Sequence, residues 1–348
     1  MSETEEIMSA CSLCPRDCHV DRNAGKKGFC GEDKTVYLAR AALHMWEEPC
    51  ISGKKGSGAV FFSGCGLRCC FCQNHDIAIG SRGLAVTVER LSEIFLELQE
   101  KGAANINLVT GAHYVPQIVQ ALDQARMEGM DLPVVYNSSG YEKTETLKML
   151  EGYVDIYLPD MKYMETDLAE KYSHAADYPD IAKAAVAEMV RQTGPCEFGA
   201  DGYIRRGTIV RHLILPGHTR NSREVLNYLH ETYGENIYIS IMNQYTPVRK
   251  FEKFKELNRK VTKREYEKVL DAAVDMGIQN GFIQEGETAS ESFIPEFDYE
   301  GVKKIPHKWK EAGTLVPARM KKKNIIESSS LSMANNIQEK CEESVSNI

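Results

Sequence analysis

The sequence predicts an α/β fold in which short strands alternate with helices, preceded by a small cysteine-rich head and followed by a flexible tail. Three observations carry this expectation. Short apolar runs alternate with stretches of helical spacing from residue 59 to residue 276, most of the eleven cysteines crowd toward the N-terminus, and apolar residues thin out beyond about residue 318. At 348 residues the chain holds one large domain plus an appendage, with ample core for independent folding.

Taken in order, residues 1–58 form the head, which ends in the glycine-rich run Ile51-Ser-Gly-Lys-Lys-Gly-Ser-Gly58. That run lacks the preceding strand and following helix of a phosphate cradle and reads as a turn-rich approach to the first strand. The core spans 59–290. Ala59–Ser63 is its first strand, and the helix from Thr87 has Thr87 as N-cap. Strand Asn105–Val109 leads to helix Val115–Arg126, strand Val134–Tyr136 to helix Lys143–Leu150, and strand Ile156–Leu158 to a long helical region that includes Asp180–Gln192. Strand Val210–Leu215 with helix Ser222–Tyr233, and strand Tyr238–Met242 with helix Lys263–Met276, close the series. Six strands alternating with helices imply parallel βαβ units, which right-handed crossovers wind into an open sheet or a curved partial barrel. Residues 291–317 are a C-terminal extension. The polar stretch 318–348, which includes Lys321–Lys323, is too poor in apolar residues to order itself and reads as a flexible tail.

Composition narrows the function. With 43% hydrophobic and 26% charged residues the chain is an ordinary globular protein, and its net charge of -8 argues against nucleic acid and anionic membranes as partners. No run of 18 apolar residues occurs, and the acidic start Met1-Ser-Glu-Thr-Glu-Glu6 lacks the basic and apolar regions of a signal peptide. A cytoplasmic location is expected, with the cysteines as thiols and metal ligands rather than disulfides.

The cysteines fall into two sets. Cys65, Cys69 and Cys72 form a Cys-x3-Cys-x2-Cys triplet on the loop after the first core strand. A protein-held 4Fe–4S cluster normally takes four thiolates, so three leave one iron open. Cys70 offers a second register, but the aromatic Phe71 just before the last cysteine favours Cys65/Cys69/Cys72. A zinc site completed by His75 is the competing reading. In the head, Cys11-x2-Cys14-Pro-x2-Cys18-x11-Cys30 gives four thiols in a segment too small for its own apolar core, so a bound metal would supply folding free energy. Zinc and a second iron–sulfur cluster both suit this set, and His19 is a nearby competitor ligand. Cys50, Cys196 and Cys341 lack partners at ligand spacing and read as free thiols.

The triplet with its aromatic resembles the loop of the radical S-adenosylmethionine (SAM) superfamily, Cys-x3-Cys-x-aromatic-Cys. The segment Cys11–Cys30, the run Asn105–Pro116 and the run Tyr153–Lys162 are similar to its uncharacterised pyruvate formate-lyase activating-enzyme-like subgroup, and the likeness covers most of residues 11–290. It implies a partial (β/α)6 barrel, a 4Fe–4S cluster whose open iron is chelated by SAM, and Phe71 near the adenine. Where activating enzymes carry Gly-Gly-Glu after the second strand, this chain has Thr110-Gly-Ala-His113. Gly111 and His113 are therefore candidates for the SAM amino group, through backbone carbonyls or the imidazole. Asp160 and Lys162 match the family's Asp-x-Lys pair near SAM and the substrate. Arg211, ahead of Pro216-Gly217, matches its arginine that meets the SAM carboxylate or the substrate, with a structural role as the alternative. Ser138, with Asn137, Ser139, Asn243 and Gln244, is a candidate ribose or substrate contact, with turn chemistry as the alternative. His212 and His218 read as structural.

The resemblance implies reductive cleavage of SAM to a 5′-deoxyadenosyl radical that abstracts hydrogen from a substrate. It also implies a flavodoxin- or ferredoxin-type reductant and, as partner, a glycyl-radical enzyme or other protein substrate. Two rival classes are an iron–sulfur electron-transfer or cluster-carrier protein without SAM cleavage, and a zinc-organised binding module. An open iron serves a pure electron carrier poorly, and the absence of basic-aromatic interleaving disfavours RNA.

Overall fold

The computed structural model describes residues 3–80, 82–284 and 295–304. Its strands, in chain order, are β1 Val36–His44, β2 Ser57–Phe62, β3 Leu84–Val86, β4 Ile106–Val109, β5 Val134–Ser138, β6 Ile156–Pro159, β7 Glu197–Phe198, β8 Ile204–Leu213, β9 Tyr238–Met242 and β10 Gly281–Ile283. The helices are α1 Glu3–Ser9, α2 Pro49–Ser52, α3 His75–Ala78, α4 Val88–Glu100, α5 Val115–Met127, α6 Thr144–Lys148, α7 Thr166–Ser173, α8 Tyr178–Thr193, α9 Thr219–Tyr233 and α10 Lys263–Asp275. The expected tail, Lys321–Lys323 and Cys341 lie outside the described residues, as does most of the extension.

One sheet runs β10-β9-β8-β6-β5-β4-β2-β1-β3, with β7 paired to β8. From β2 to β10 this path is parallel, while β1, β3 and β7 are antiparallel. The six expected strands are all present, joined by helical crossovers, and the sheet remains open with β10 and β3 at its ends. This is the partial (β/α)6 barrel, with the short β10 added beside β9.

Alternation along each strand sorts the residues onto two faces. Val60, Phe62, Ile106, Leu108, Val134 and Tyr136 pack with α4 and α5 through Leu91, Phe95, Ile118 and Leu122. Toward β8 and β9 the helix-side core continues with Val210 and Ile239 against Val225 and Leu229 of α9. The other face is concave and partly filled. Cys50 and Ile51 of α2 sit there against Val135, Ile156, Leu158 and Ile209. The glycine-rich run is thus the end of a plug: the Asn105 amide donates to Ile51 O at 2.8 Å, and the Lys54 amide donates to the Tyr203 hydroxyl at 2.9 Å.

Two other departures from the sequence expectation have local causes. Residues 36–44, read as part of the head, are apolar enough on both faces to form β1, which pairs with β2 from Leu38↔Phe62 to His44↔Ser57. The fifth expected strand starts earlier, at Ile204, because exposed Arg205 and Arg206 belong to a hairpin with β7 rather than to the buried run. Near the C-terminus of the described chain, Phe297 packs on Phe61, while Ala41 N donates to Glu300 O and Tyr299 N to Ala39 O, so residues 297–300 lie along β1.

Because Ile51 is fully buried between plug and sheet, Ile51→Ala is expected to cost about 2–5 kcal/mol. The check is the urea midpoint of the purified chain. An unchanged midpoint would mean that the plug does not pack on the sheet in solution.

Candidate active site

The C-terminal ends of the parallel strands carry the cysteine loop and most of the polar residues singled out in the sequence. The loop follows β2 directly; Cys65 and Cys69 are buried, and Cys70 and Cys72 are half-buried. Burial above all pushes Cys72 up from the ordinary thiol range, and the charges of Cys69 and Cys65 add to it. Burial likewise pushes Cys69 up to about 11, against the pull of the Lys162 ammonium and a hydrogen bond from Ser173. Cys70 feels Cys69, Arg249 and Glu256; its amide donates to Tyr172 O at 2.8 Å and its carbonyl accepts from Arg249 Nη2 at 2.9 Å. Phe71 is buried edge-on to Tyr172 and Tyr245, with ring centroids 6.3 Å and 6.2 Å away. The exposure of Arg249 and the half-buried Gln73 mark this side of the loop as the rim of the mouth.

A chain of alternating charges leads from the plug to this loop. Arg211 donates from Nη1 to Glu47 Oε2 at 3.1 Å, from Nη2 to Asn137 Oδ1 at 2.6 Å and from Nε to Asp160 Oδ1 at 3.0 Å. Asp160 Oδ2 accepts from Lys162 Nζ at 2.5 Å. Glu47 Oε1 also accepts from Asn107 and Asn137. These side chains are 9–16% exposed, which places the network in a low-dielectric site where each charge needs its partner. For Asp160 burial acts upward, but Lys162 and Arg211 on either side outweigh it and hold the carboxyl below its usual range. For Lys162 burial acts downward, and Asp160 with Cys69 overcomes it and holds the ammonium charged. Burial wins at Glu47, raising its carboxyl despite Arg211.

The remaining sequence candidates are placed as follows. Thr110, after β4, takes φ 62°, a left-handed conformation that costs a β-branched residue about 1–3 kcal/mol, and it turns the chain inward. Gly111 follows, where a Cβ would come within 2.6 Å of Ile118. His113 is buried with Nε2 2.7 Å from Ser63 O. Burial and the nearby Arg22 keep it neutral by lowering it to about 3. Asn137 and Ser138 point to opposite faces: Asn137 joins the Arg211 network, while the Ser138 hydroxyl accepts from Gly140 N at 3.2 Å and neighbours Glu142. Asn243 Oδ1 and Thr246 Oγ1, beyond β9, are buried with no protein partner. His212 is fully buried with Nδ1 2.7 Å from Met161 O, and burial lowers it to about 4. His218 meets the Tyr172 hydroxyl at 2.9 Å. Cys50 and Cys196 share one core cluster behind the plug.

A model of the radical SAM superfamily matches residues 59–229. The chain belongs to the radical SAM superfamily. It is 28% identical over 276 residues to an uncharacterized protein of Methanocaldococcus jannaschii, a match covering 77% of this chain and 75% of that protein. Among solved structures, SuiB of Streptococcus suis bound to the precursor peptide SuiA is similar at 12% identity and a TM-score of 0.42, over 64% of this chain and 47% of SuiB. The chain therefore spans about half of SuiB. A domain of pyruvate-formate lyase-activating enzyme from Bacteroides vulgatus is similar at 10% identity and a TM-score of 0.37, over 53% of this chain and all of that domain.

This radical SAM protein is an enzyme, and its family implies a 4Fe–4S cluster and SAM. The donor set fits both. Three thiols share one loop, two of them buried and Cys72 half-buried; the Lys162 ammonium lies within electrostatic reach of Cys69, and buried oxygens of Asn243 and Thr246 lack protein partners at the strand ends. Among the described residues no helix is long and apolar enough to cross a membrane.

Glu47 and Glu142 escaped the sequence reading because neither sits in a motif; both are recognisable only by burial. Glu142 accepts a hydrogen bond from Tyr136 at 3.3 Å, and burial raises it to about 8 against the pull of Tyr136 and Ser138. From its ordinary 4.5 up to about 8, the unfolded chain is ionised at this position while the folded chain keeps the proton. Stability from this group is therefore full below the lower value and lost as pH rises through the higher one. Glu142→Gln should melt progressively higher than wild type as pH goes from 5 to 8, measured by thermal denaturation. A difference that does not vary with pH would refute the assignment.

Proposed function

We propose that this radical SAM enzyme abstracts hydrogen from a protein substrate, with the glycyl position of a glycyl-radical enzyme as target. The observation that carries the reading is the buried charge run Glu47–Arg211–Asp160–Lys162, which ends beside Cys69 at the open ends of the strands. Strand C-terminal ends are where barrels of this kind assemble chemistry.

Cys65, Cys69 and Cys72 would hold the 4Fe–4S cluster and leave one iron for SAM. Once bound and reduced by a flavodoxin- or ferredoxin-type partner, the pair supplies reductive cleavage of SAM to methionine and a 5′-deoxyadenosyl radical. This chain's residues bind, orient and seclude. Lys162, kept positive by Asp160, offers a buried cation to a carboxylate. Arg211 is fixed by three acceptors and keeps its remaining N–H groups for SAM or substrate. The Thr110–His113 turn would offer backbone carbonyls to the SAM amino group in place of an acidic side chain. Its His113 imidazole is neutral and engaged with Ser63 O, so it holds the turn rather than supplying charge. Phe71 would stand by the adenine. Asn137 and Ser138 would line the ribose side. Buried Tyr163, Tyr172, Tyr178 and Tyr245 form the wall around the loop and exclude water from a radical. The cytoplasm is the compartment where such thiols stay reduced.

After anaerobic reconstitution with SAM and dithionite, wild type should form 5′-deoxyadenosine and Cys70→Ala should retain the activity, while Cys69→Ala should give background only. A reconstituted wild type that forms none would sink the enzymatic reading. If it forms 5′-deoxyadenosine but leaves no backbone radical detectable by electron paramagnetic resonance on a co-incubated glycyl-radical enzyme, only the proposed target fails.

A further inference from the structure

The four cysteines of the head are drawn together by the fold. The Cys11 amide donates to Val20 O at 3.1 Å, and the His19 amide donates to Cys11 O at 3.0 Å, so the loop carrying Cys14 and Cys18 closes back on Cys11. A Cβ at Gly28 would stand 3.0 Å from Cys18 Sγ and 3.6 Å from Cys30 Sγ, so a glycine leaves open the space these two sulfurs share. Cys14 lies within electrostatic reach of Cys11 and Cys30, and Cys30 within reach of Cys18. Arg22, fully buried, brings Nη1 to 3.7 Å from Cys11 Sγ. His19 is exposed, with its backbone turned to φ 48°.

The spacing of the donors separates two kinds of metal centre. Among the described residues, no three Cys, His, Asp or Glu side chains are close enough to hold a single ion. Tetrahedral zinc gathers its thiolates about 2.3 Å from one metal. In a cluster each thiolate binds its own iron, so the sulfurs stand further apart. The head and the Cys65, Cys69 and Cys72 loop are alike in that neither brings three donors within reach of a single ion, and for the loop the family implies a cluster.

We propose that Cys11, Cys14, Cys18 and Cys30 hold a second iron–sulfur cluster, seated directly against the SAM-binding loop. Cys14 Sγ lies 3.4 Å from the position a Cβ of Gly66 would take, one residue from Cys65. Arg16 fastens the two segments: Nε donates to Gly66 O at 2.8 Å, and Nη2 to Leu67 O at 3.4 Å and Ser173 O at 3.0 Å. Its Nη1 donates to His174 O at 2.5 Å, so head, loop and the end of α7 meet on one guanidinium. With all four ligands from protein, this centre has no iron open to SAM.

The full-length Cys65→Ala/Cys69→Ala/Cys72→Ala variant isolates the head. Reconstituted anaerobically with iron and sulfide in the presence of zinc, it should retain about four iron and four sulfide per chain, with zinc well below one. One zinc without iron overturns the proposal, and so does a chain folded by circular dichroism that carries neither metal. Wild type gives an independent measurement should the triple variant fail to fold: about eight iron per chain supports the second cluster, and about four overturns it. This outcome is separate from SAM cleavage, since the variant's iron is counted with the SAM loop disabled.

Discussion

The Arg211 guanidinium is the tie on which the rest of the site depends. It reaches the plug through Glu47, β5 through Asn137 and the end of β6 through Asp160, and Asp160 passes the alternation on to Lys162. In an open sheet the strand ends are free to splay, and here the backbone ladder between β6 and β8 thins to Ile156↔Gly207, Tyr157↔Thr208 and the single bridge Asp160↔Arg211. Side-chain charge takes over where that ladder weakens. Breaking a buried pair by removing one partner costs about 3–5 kcal/mol, so the network holds only when complete. Replacing buried ion pairs with well-packed apolar residues is often neutral or stabilising. A run of charges instead holds an ammonium at the mouth in a fixed state.

The two faces of the sheet divide the work. The helix side is continuous apolar packing and sets the curvature, while the concave side is filled at one end by α2 and left polar at the other. The plug explains why Glu47 lies among strand residues far from it in sequence. The cysteine loop is fixed from outside by Arg16 and from inside by Tyr172 O and the Phe71 aromatic cluster. A loop held at both surfaces keeps its three sulfurs in place at little cost in conformational entropy when it takes up a ligand.

The parallel core was legible because each buried strand is a short apolar run and each helix an amphipathic one, signals that local periodicity carries. β1 was missed because this antiparallel strand is followed only by the four-residue α2, too short to reveal the alternation. The plug was missed because glycines and lysines at 53–58 look like surface turn residues, while the residues that pack inward, Cys50 and Ile51 among them, lie just before that run. Asn137 and Ser138 were inseparable in sequence. Strand parity sends them to opposite faces, and parity is known only once the register Asn137↔Leu158 is fixed.

What the sequence determined by itself is the chemistry of neighbouring residues: three thiols on one loop, the Asp-x-Lys pair after β6, four further cysteines in the head, and the order of strands and helices. These are short-range facts, set by spacing along the chain. What only the tertiary structure decided is which distant groups share a low-dielectric space. Glu47 meets Arg211 across 164 positions of chain, and Arg16 meets the loop carbonyls across 50. No local pattern encodes such pairings, because burial of a charge is a property of the assembled fold.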